Sequence, residues 1–194
     1  MTSVMIELKN NNNFHVVTGG PGVGKTTLLE ELQKRGFEIV PEIARELIRE
    51  QQKDNGEALP WKNKLLYKKM MFDRSISSFE YMDKKIHDQK PIFFDRGFLD
   101  TLCYTILIQS DISQSMQSYA KNWRYNNNIL ILPPWRDIYE TDNERKQDWT
   151  EAVMTFEKMS ETYKNYGYNI VEIPKKSVPE RADFVLEFIE SNRF

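Results

Sequence analysis

The segment Gly19-Gly20-Pro21-Gly22-Val23-Gly24-Lys25-Thr26, followed by Thr27, concentrates glycines, a lysine and hydroxyls at one spacing. It matches G-x-x-x-x-G-K-[ST], the Walker A pattern, and each part has a physical purpose. The glycines let backbone amides turn inward around an anion with no side chain in the way. The helix that follows directs its N-terminal amides and the positive end of its dipole at the same anion. Lys25 places a point charge between the β- and γ-phosphates, and the Thr26 hydroxyl reaches Mg²⁺. The β-rich run before the motif and the helical pattern after it are the context this chemistry needs. Residues 19–27 are therefore predicted to bind a nucleoside triphosphate, with ATP as donor and Mg²⁺ as its metal.

Three further stretches carry groups suited to phosphoryl transfer. In PIFFDRG, Asp95 ends an apolar strand beside the loop, where a carboxylate can hold Mg²⁺ through water or accept a proton from an attacking hydroxyl. Arg96 can pair with an acceptor, a phosphate or a neighbouring carboxylate. In VPEIAREL, Glu42 lies just past a second strand and Arg45 one helical turn on, so both can face an acceptor in the cleft at the carboxyl edge of the sheet. A helix-start glutamate in a surface pair with Arg45 has the same pattern. In PPWRDIYETDNERKQDW, Arg136 and Arg145 lie on a long charged loop that can close over the phosphates and bring a guanidinium to the transferring group. A solvated connection has a similar composition.

Other conspicuous residues suggest less. His15 and His87 are far apart and show no metal-ligand spacing. Cys103 lies among apolar residues and suits packing. Lys62, Lys64, Lys68 and Lys69 suit a hydrated helix face. Trp61, Trp123, Trp135 and Trp149 are expected in the core or at the cleft rim.

The elements that must position these groups alternate. Strands are predicted at residues 14–19, 37–42, 91–95, 126–134 and 169–174, with helices between and after them. The segment 61–87 suits one long helix or a kinked pair, and helices are also expected near 98–109, 111–123 and 148–166. Ser177-Val178-Pro179-Glu180 is a capping box that opens the last helix. The asparagines at 10–13 and 126–128 suit turns. Alternating strands and helices predict an α/β fold, with a parallel sheet covered by helices on both faces.

The 194 residues, 40 % of them hydrophobic, fit a single domain spanning 1–194. One cysteine precludes an internal disulfide and suits a reducing, cytoplasmic setting. The apolar runs are too short to span a bilayer, so no membrane partner is expected. A formal net charge of −2 gives no global attraction to nucleic acid.

With these motifs assembled, the chain resembles a bacterial P-loop family of predicted ATPases or kinases grouped with AAA domains. HVVTGGPGVGKTTLLEEL, VPEIARELI, IFFDRGFLDTLCY and PPWRDIYETDNERKQ carry the resemblance, over roughly residues 14–189. That family is similar to the ribosylnicotinamide kinase domain and, more distantly, to deoxynucleoside and nucleoside-monophosphate kinases. The resemblance implies a three-layer P-loop NTPase fold whose five parallel strands run in the order 2-3-1-4-5. It also implies ATP and Mg²⁺, acceptor contacts by Glu42 and Asp95, and lid arginines at Arg136 and Arg145. Mechanical AAA ATPases carry an Asp-Glu pair where this chain has Asp95-Arg96, which argues against a ring-forming motor. The expected activity is transfer of the γ-phosphate to a small nucleoside-like hydroxyl. The alternative is an ATP-hydrolysing or ATP-gated regulatory module acting on a protein or RNA partner.

Overall fold

Strand Phe14–Gly19 (β2) is buried along its whole length, as befits a central strand covered on both faces. The computed structural model describes residues 6–85, 90–138 and 149–192. Around β2, the strands Glu38–Val40 (β3), Ile92–Asp95 (β4), Asn128–Leu132 (β6) and Asn169–Glu172 (β7) form one parallel sheet in the order β3-β4-β2-β6-β7. This is the order 2-3-1-4-5 expected of the five predicted strands. The register pairs Val17 with Asp95 and Gly19 with Leu132. It therefore brings the carboxyl end of β4 beside the start of the glycine loop.

Period-two alternation divides the core. Val16 and Phe94 face one cluster together with Phe79, Phe98 and Tyr125. Val17 and Phe93 face another, with Leu28, Leu32, Val185 and Ile189. Helices Lys25–Lys34 (α1) and Val178–Ser191 (α7) cover the second face. Lys64–Lys85 (α3), Phe98–Leu107 (α4), Gln114–Asn122 (α5) and Trp149–Asn165 (α6) cover the first, and Ile43–Lys53 (α2) packs on α3. Among the described residues no helix is long and apolar enough to cross a membrane.

Side-chain caps set several helix boundaries. α3 is a continuous helix that starts after Trp61, because Asn63 Oδ1 accepts from the Leu66 amide at 3.0 Å. Trp61 consequently lies outside the core, 59 % exposed. α5 starts at Gln114 because Ser113 caps it through the Met116 amide. In the capping box of α7, Glu180 accepts from the Ser177 amide at 3.1 Å. The sequence pattern misses a two-stranded parallel sheet of Lys9–Asn10 (β1) and Trp123–Arg124 (β5). There Asn10 is strand and not turn, and Trp123 leaves the helix it was expected to end. The pairing spans over a hundred residues of chain, so no local propensity signals it.

Candidate functional site

The loop after β2 takes the shape its glycines permit. Gly19 has φ 151°, and a Cβ there would come within 2.8 Å of the Leu132 carbonyl. Gly24, with φ 77° in the left-handed region, is the N-cap of α1. The first amides of α1 consequently have no intrahelical partner and are available to an anion. Lys25 is buried at 6 % exposure, whereas Thr26 and Thr27 are exposed at the helix start. Thr27 Oγ1 donates to the Gly24 carbonyl at 2.9 Å.

Around Lys25 the fold gathers five charged side chains. The ammonium pairs with Asp95 Oδ1 and lies 3.5 Å from Glu42 Oε2. Glu42 Oε1 accepts from Arg96 Nε at 2.9 Å, and its Oε2 lies 3.2 Å from Arg45 Nε. Arg96 Nη1 reaches Asp100 Oδ1 at 3.2 Å. The structure thus brings Lys25, Glu42, Arg45, Asp95 and Arg96 together and adds Asp100. Glu42, which the sequence suggested for the acceptor, also reaches the loop lysine.

The two carboxylates nearest Lys25 differ in character. Burial works against the charge on Glu42, but Arg96, Lys25 and Arg45 outweigh it and hold its pKa down at about 2. Burial raises the pKa of Asp95, the charge of Glu42 adds to that, and Lys25 offsets it only in part. Burial of Arg96 opposes its charge, yet Glu42, Asp100 and Asp95 drive its pKa upward. Near neutral pH Glu42 is an anion, and Asp95 is the readier proton acceptor.

Arg96 has φ 71°, a left-handed backbone that costs a non-glycine residue about 1–2 kcal/mol. Its surroundings enforce the conformation. The Arg96 amide donates to the Val17 carbonyl at 3.0 Å, and the guanidinium is held at both ends by Glu42 and Asp100. Asp100 in turn accepts from Thr18 Oγ1 at 2.5 Å, Tyr163 Oη at 2.6 Å and the Gly97 amide at 2.8 Å. It is 8 % exposed. Sequence reasoning missed Asp100, Thr18 and Tyr163. The Gly97-to-Asp100 spacing at the start of α4 was a legible capping signal for Asp100. Nothing in sequence marks the other two.

Beyond Glu42 lies an aromatic wall that was also missed. Tyr67 and Tyr104 meet edge-on with ring centroids 5.5 Å apart. Burial raises the Tyr67 pKa, and the charges of Tyr104 and Glu42 act in the same direction. On the opposite side, Arg136 is exposed in the short 3-10 helix Arg136–Ile138, with its guanidinium 5.6 Å from the Trp149 ring. Arg145 and His87 lie outside the described residues. His15 is buried and tilted against Phe93 at 5.8 Å, and Cys103 is fully buried.

The donor set suits Mg²⁺ carried by a nucleotide. Among the described residues no cluster of three or more His, Cys, Asp or Glu could hold a metal by itself. Mg²⁺ commonly takes one or two protein oxygens and completes its shell with phosphates and water. Exposed Thr26 and the Asp95 carboxylate beside Lys25 can supply such oxygens.

Comparison with known proteins agrees with this architecture. A family model described as "AAA domain" matches residues 14–181. No curated protein sequence matches the chain. Among solved structures, NadR in complex with NR is similar at a TM-score of 0.67 and 18 % identity, covering 92 % of this chain and 50 % of that one. The chain spans about half the length of the NadR chains it matches. Deoxyadenosine kinase from M. mycoides, solved with the products dCMP and dCDP, is similar at a TM-score of 0.59 and 17 % identity, covering 92 % of this chain and 99 % of that one. Shikimate kinase from Aquifex aeolicus is similar at 0.55 and 14 % identity, covering 93 % and 98 %. The shared fold is that of P-loop kinases.

Proposed function

Because the chain belongs to the AAA-domain family whose model spans residues 14–181, we propose that it is a P-loop phosphotransferase. In this proposal a single domain, residues 1–194, moves the γ-phosphate of ATP to a hydroxyl of a small nucleoside-like acceptor. One observation carries the proposal: Asp95, at the end of β4, and Glu42, just past the neighbouring strand β3, converge on the loop lysine, and Glu42 is bridged to Arg96. A pure hydrolase has no need of a second anchored carboxylate–guanidinium pair beside its phosphate loop. A kinase needs one to orient its acceptor. The folds of the nucleoside and shikimate kinases named above lend support of the same kind.

The loop amides of residues 19–26 and Lys25 bind the polyphosphate. Lys25 leaves the carboxylates as phosphate oxygens replace them, which frees Asp95. Glu42, fixed as an anion by Arg96 and Arg45, orients the acceptor hydroxyl as a hydrogen-bond acceptor. Asp95, whose pKa burial raises, takes the hydroxyl proton as the acceptor oxygen attacks the γ-phosphorus and ADP departs. Thr26, directly, and Asp95, through water, would hold Mg²⁺, which would supply positive charge beside the leaving oxygen. Arg136 or Arg145 is the candidate to bring a guanidinium to the transferring group from the lid. The Tyr67–Tyr104 wall bounds the acceptor and suits a flat ring.

The test is a screen of nucleosides, nucleotides and polyols for acceptor-stimulated ADP release, with phosphorylated product identified by mass spectrometry. Stimulation by at least one nucleoside is expected, and Glu42→Gln should abolish it while ATP binding persists. ADP release that no acceptor stimulates would replace the kinase with the regulatory ATPase.

A further inference from the structure

The last helix carries a charged residue used neither by the glycine motif nor by the cluster around Lys25. Arg181, in the first turns of α7, is 4 % exposed. Its guanidinium is directed at the outer side of the phosphate loop, where Nη1 lies 3.3 Å from the Gly24 carbonyl and 3.5 Å from that of Val23. The group also lies 5.8 Å from the Trp135 ring. Its Nε is buried and has no hydrogen-bond partner. Burial alone lowers its pKa, and among the described residues no carboxylate pairs with it.

Loop and guanidinium are fitted to one another. A Cβ on Gly24 would approach Nη1 to 2.8 Å and the Ile138 Cδ1 to 3.3 Å. Gly24 is thus favoured by its positive φ, and a side chain there would displace the Arg181 guanidinium.

A buried cation that meets, among the described residues, only carbonyl dipoles and an aromatic ring is left without a counter-charge. Its field, unlike that of a surface lysine, is little screened by salt. A polyanion seated on the amide side of the same loop supplies the missing negative charge across a few ångström of protein. We propose that Arg181 is a positioning residue of the nucleotide site. It holds the Val23 and Gly24 carbonyls outward, which leaves the loop amides facing inward, and it lends a fixed positive field to the bound polyphosphate. Through Trp135 the same guanidinium also touches the start of the segment that bears Arg136. The proposal rests on the reading of residues 19–26 as a nucleotide site.

The test compares Arg181→Met, Arg181→Gln and Arg181→Lys with the wild-type chain. Thermal midpoints are measured without ligand, with ATP·Mg²⁺ and with inorganic tripolyphosphate, alongside the KM for ATP and kcat for ADP release. The ligand-free midpoint of the Met variant should equal or exceed that of the wild type, because an unsatisfied buried charge is gone. Its stabilisation by both ligands should shrink. Its KM should rise roughly tenfold, as expected for one charge acting over this range in an intermediate dielectric, with a smaller change in kcat. Lys should restore much of the loss. If Met does not fold, the neutral Gln variant serves the same comparison.

A neutral variant that retains the wild-type response to tripolyphosphate would overturn the proposal. So would an effect confined to ATP, which would signify contact with the base or sugar. Equal loss of stability with and without ligand, unrelieved by Lys, would reduce Arg181 to a packing role. If the wild type responds to neither ligand, the nucleotide-site reading fails and this one falls with it.

Discussion

Arg96 Nε donates to Glu42 Oε1 across 2.9 Å, which joins the residue after β4 to the N-cap of α2 beside the phosphate-loop lysine. The bond links a chain of alternating charge: Asp95, Lys25, Glu42, Arg96 and Asp100 follow one another as ion-pair neighbours. Such a chain balances its charges without ligand. It also holds the lysine in place until phosphates compete for it.

Replacement of Lys25 by Met should abolish ATP turnover in a folded protein. The charge lies where negative charge moves in the transition state, and loss of such a contact costs about 10²–10³ in rate. Thr26→Ala should instead raise the Mg²⁺ concentration needed for half-maximal rate. Circular dichroism checks folding and coupled ADP release checks turnover. Wild-type turnover by the Met variant would remove the loop from the chemistry.

Asp95 and Glu42 should separate by pH. If Asp95 is the base, the rate rises with pH through its pKa, which burial raises above the ordinary 3.8. Asp95→Asn should erase that acid limb and slow transfer by about 10²–10⁴. Glu42 influences stability instead. Its pKa of about 2, against an ordinary 4.5, contributes ~3 kcal/mol that is fully present above pH 4.5 and lost as pH falls toward 2. Denaturation curves should therefore show Glu42→Gln less stable than wild type at pH 6, with the gap closing in acid. A gap independent of pH would contradict the ion-pair account.

Asp100 anchors Arg96 from the side away from Glu42. Asp100→Ala leaves the Arg96 guanidinium, the Thr18 hydroxyl and the Tyr163 hydroxyl short of an acceptor. Breaking a buried pair in this way costs about 3–5 kcal/mol. Urea denaturation should reveal a loss of that order, and acceptor KM should rise more than ATP KM. A change below about 0.5 kcal/mol, the range of ordinary surface substitutions, would mean that Arg96 is held by Glu42 alone.

Arg136 offers a test of the lid. In this structure its guanidinium lies against Trp149 and not against the loop. If closure brings it to the transferring phosphate, Arg136→Ala should lower kcat more than it weakens ATP binding. Lysine should rescue only partly, because a point charge lacks the planar fork. An unchanged kcat would leave this stretch a solvated connection.

Strand sequence and helix punctuation were legible because they are local. The buried run before Gly19, the Walker spacing and the Ser177–Glu180 cap each specify structure within a few residues. The boundaries that slipped depended on side-chain caps at Asn63 and Ser113, which were equally local but not weighed. The β1–β5 pairing was not legible in principle, since its partners lie more than a hundred residues apart.

The same division runs through the site. Sequence by itself determined which groups would stand at the carboxyl edge of the sheet, because strand ends and the G-x-x-x-x-G-K-[ST] spacing place Lys25, Asp95 and Glu42 there whatever surrounds them. Only the tertiary structure decided what those groups are. Glu42 stayed an anion near neutral pH because Arg96, Lys25 and Arg45 converge on it, and Asp95 was pushed the other way by burial beside a like charge. Asp100 and Arg181 entered the site from helices whose sequence shows no functional signal. The physical reason is that charge and burial act through space. A carboxylate's neighbours in the fold set its pKa, and all five of the charged groups gathered around Lys25 come from beyond its own helix and the strand before it.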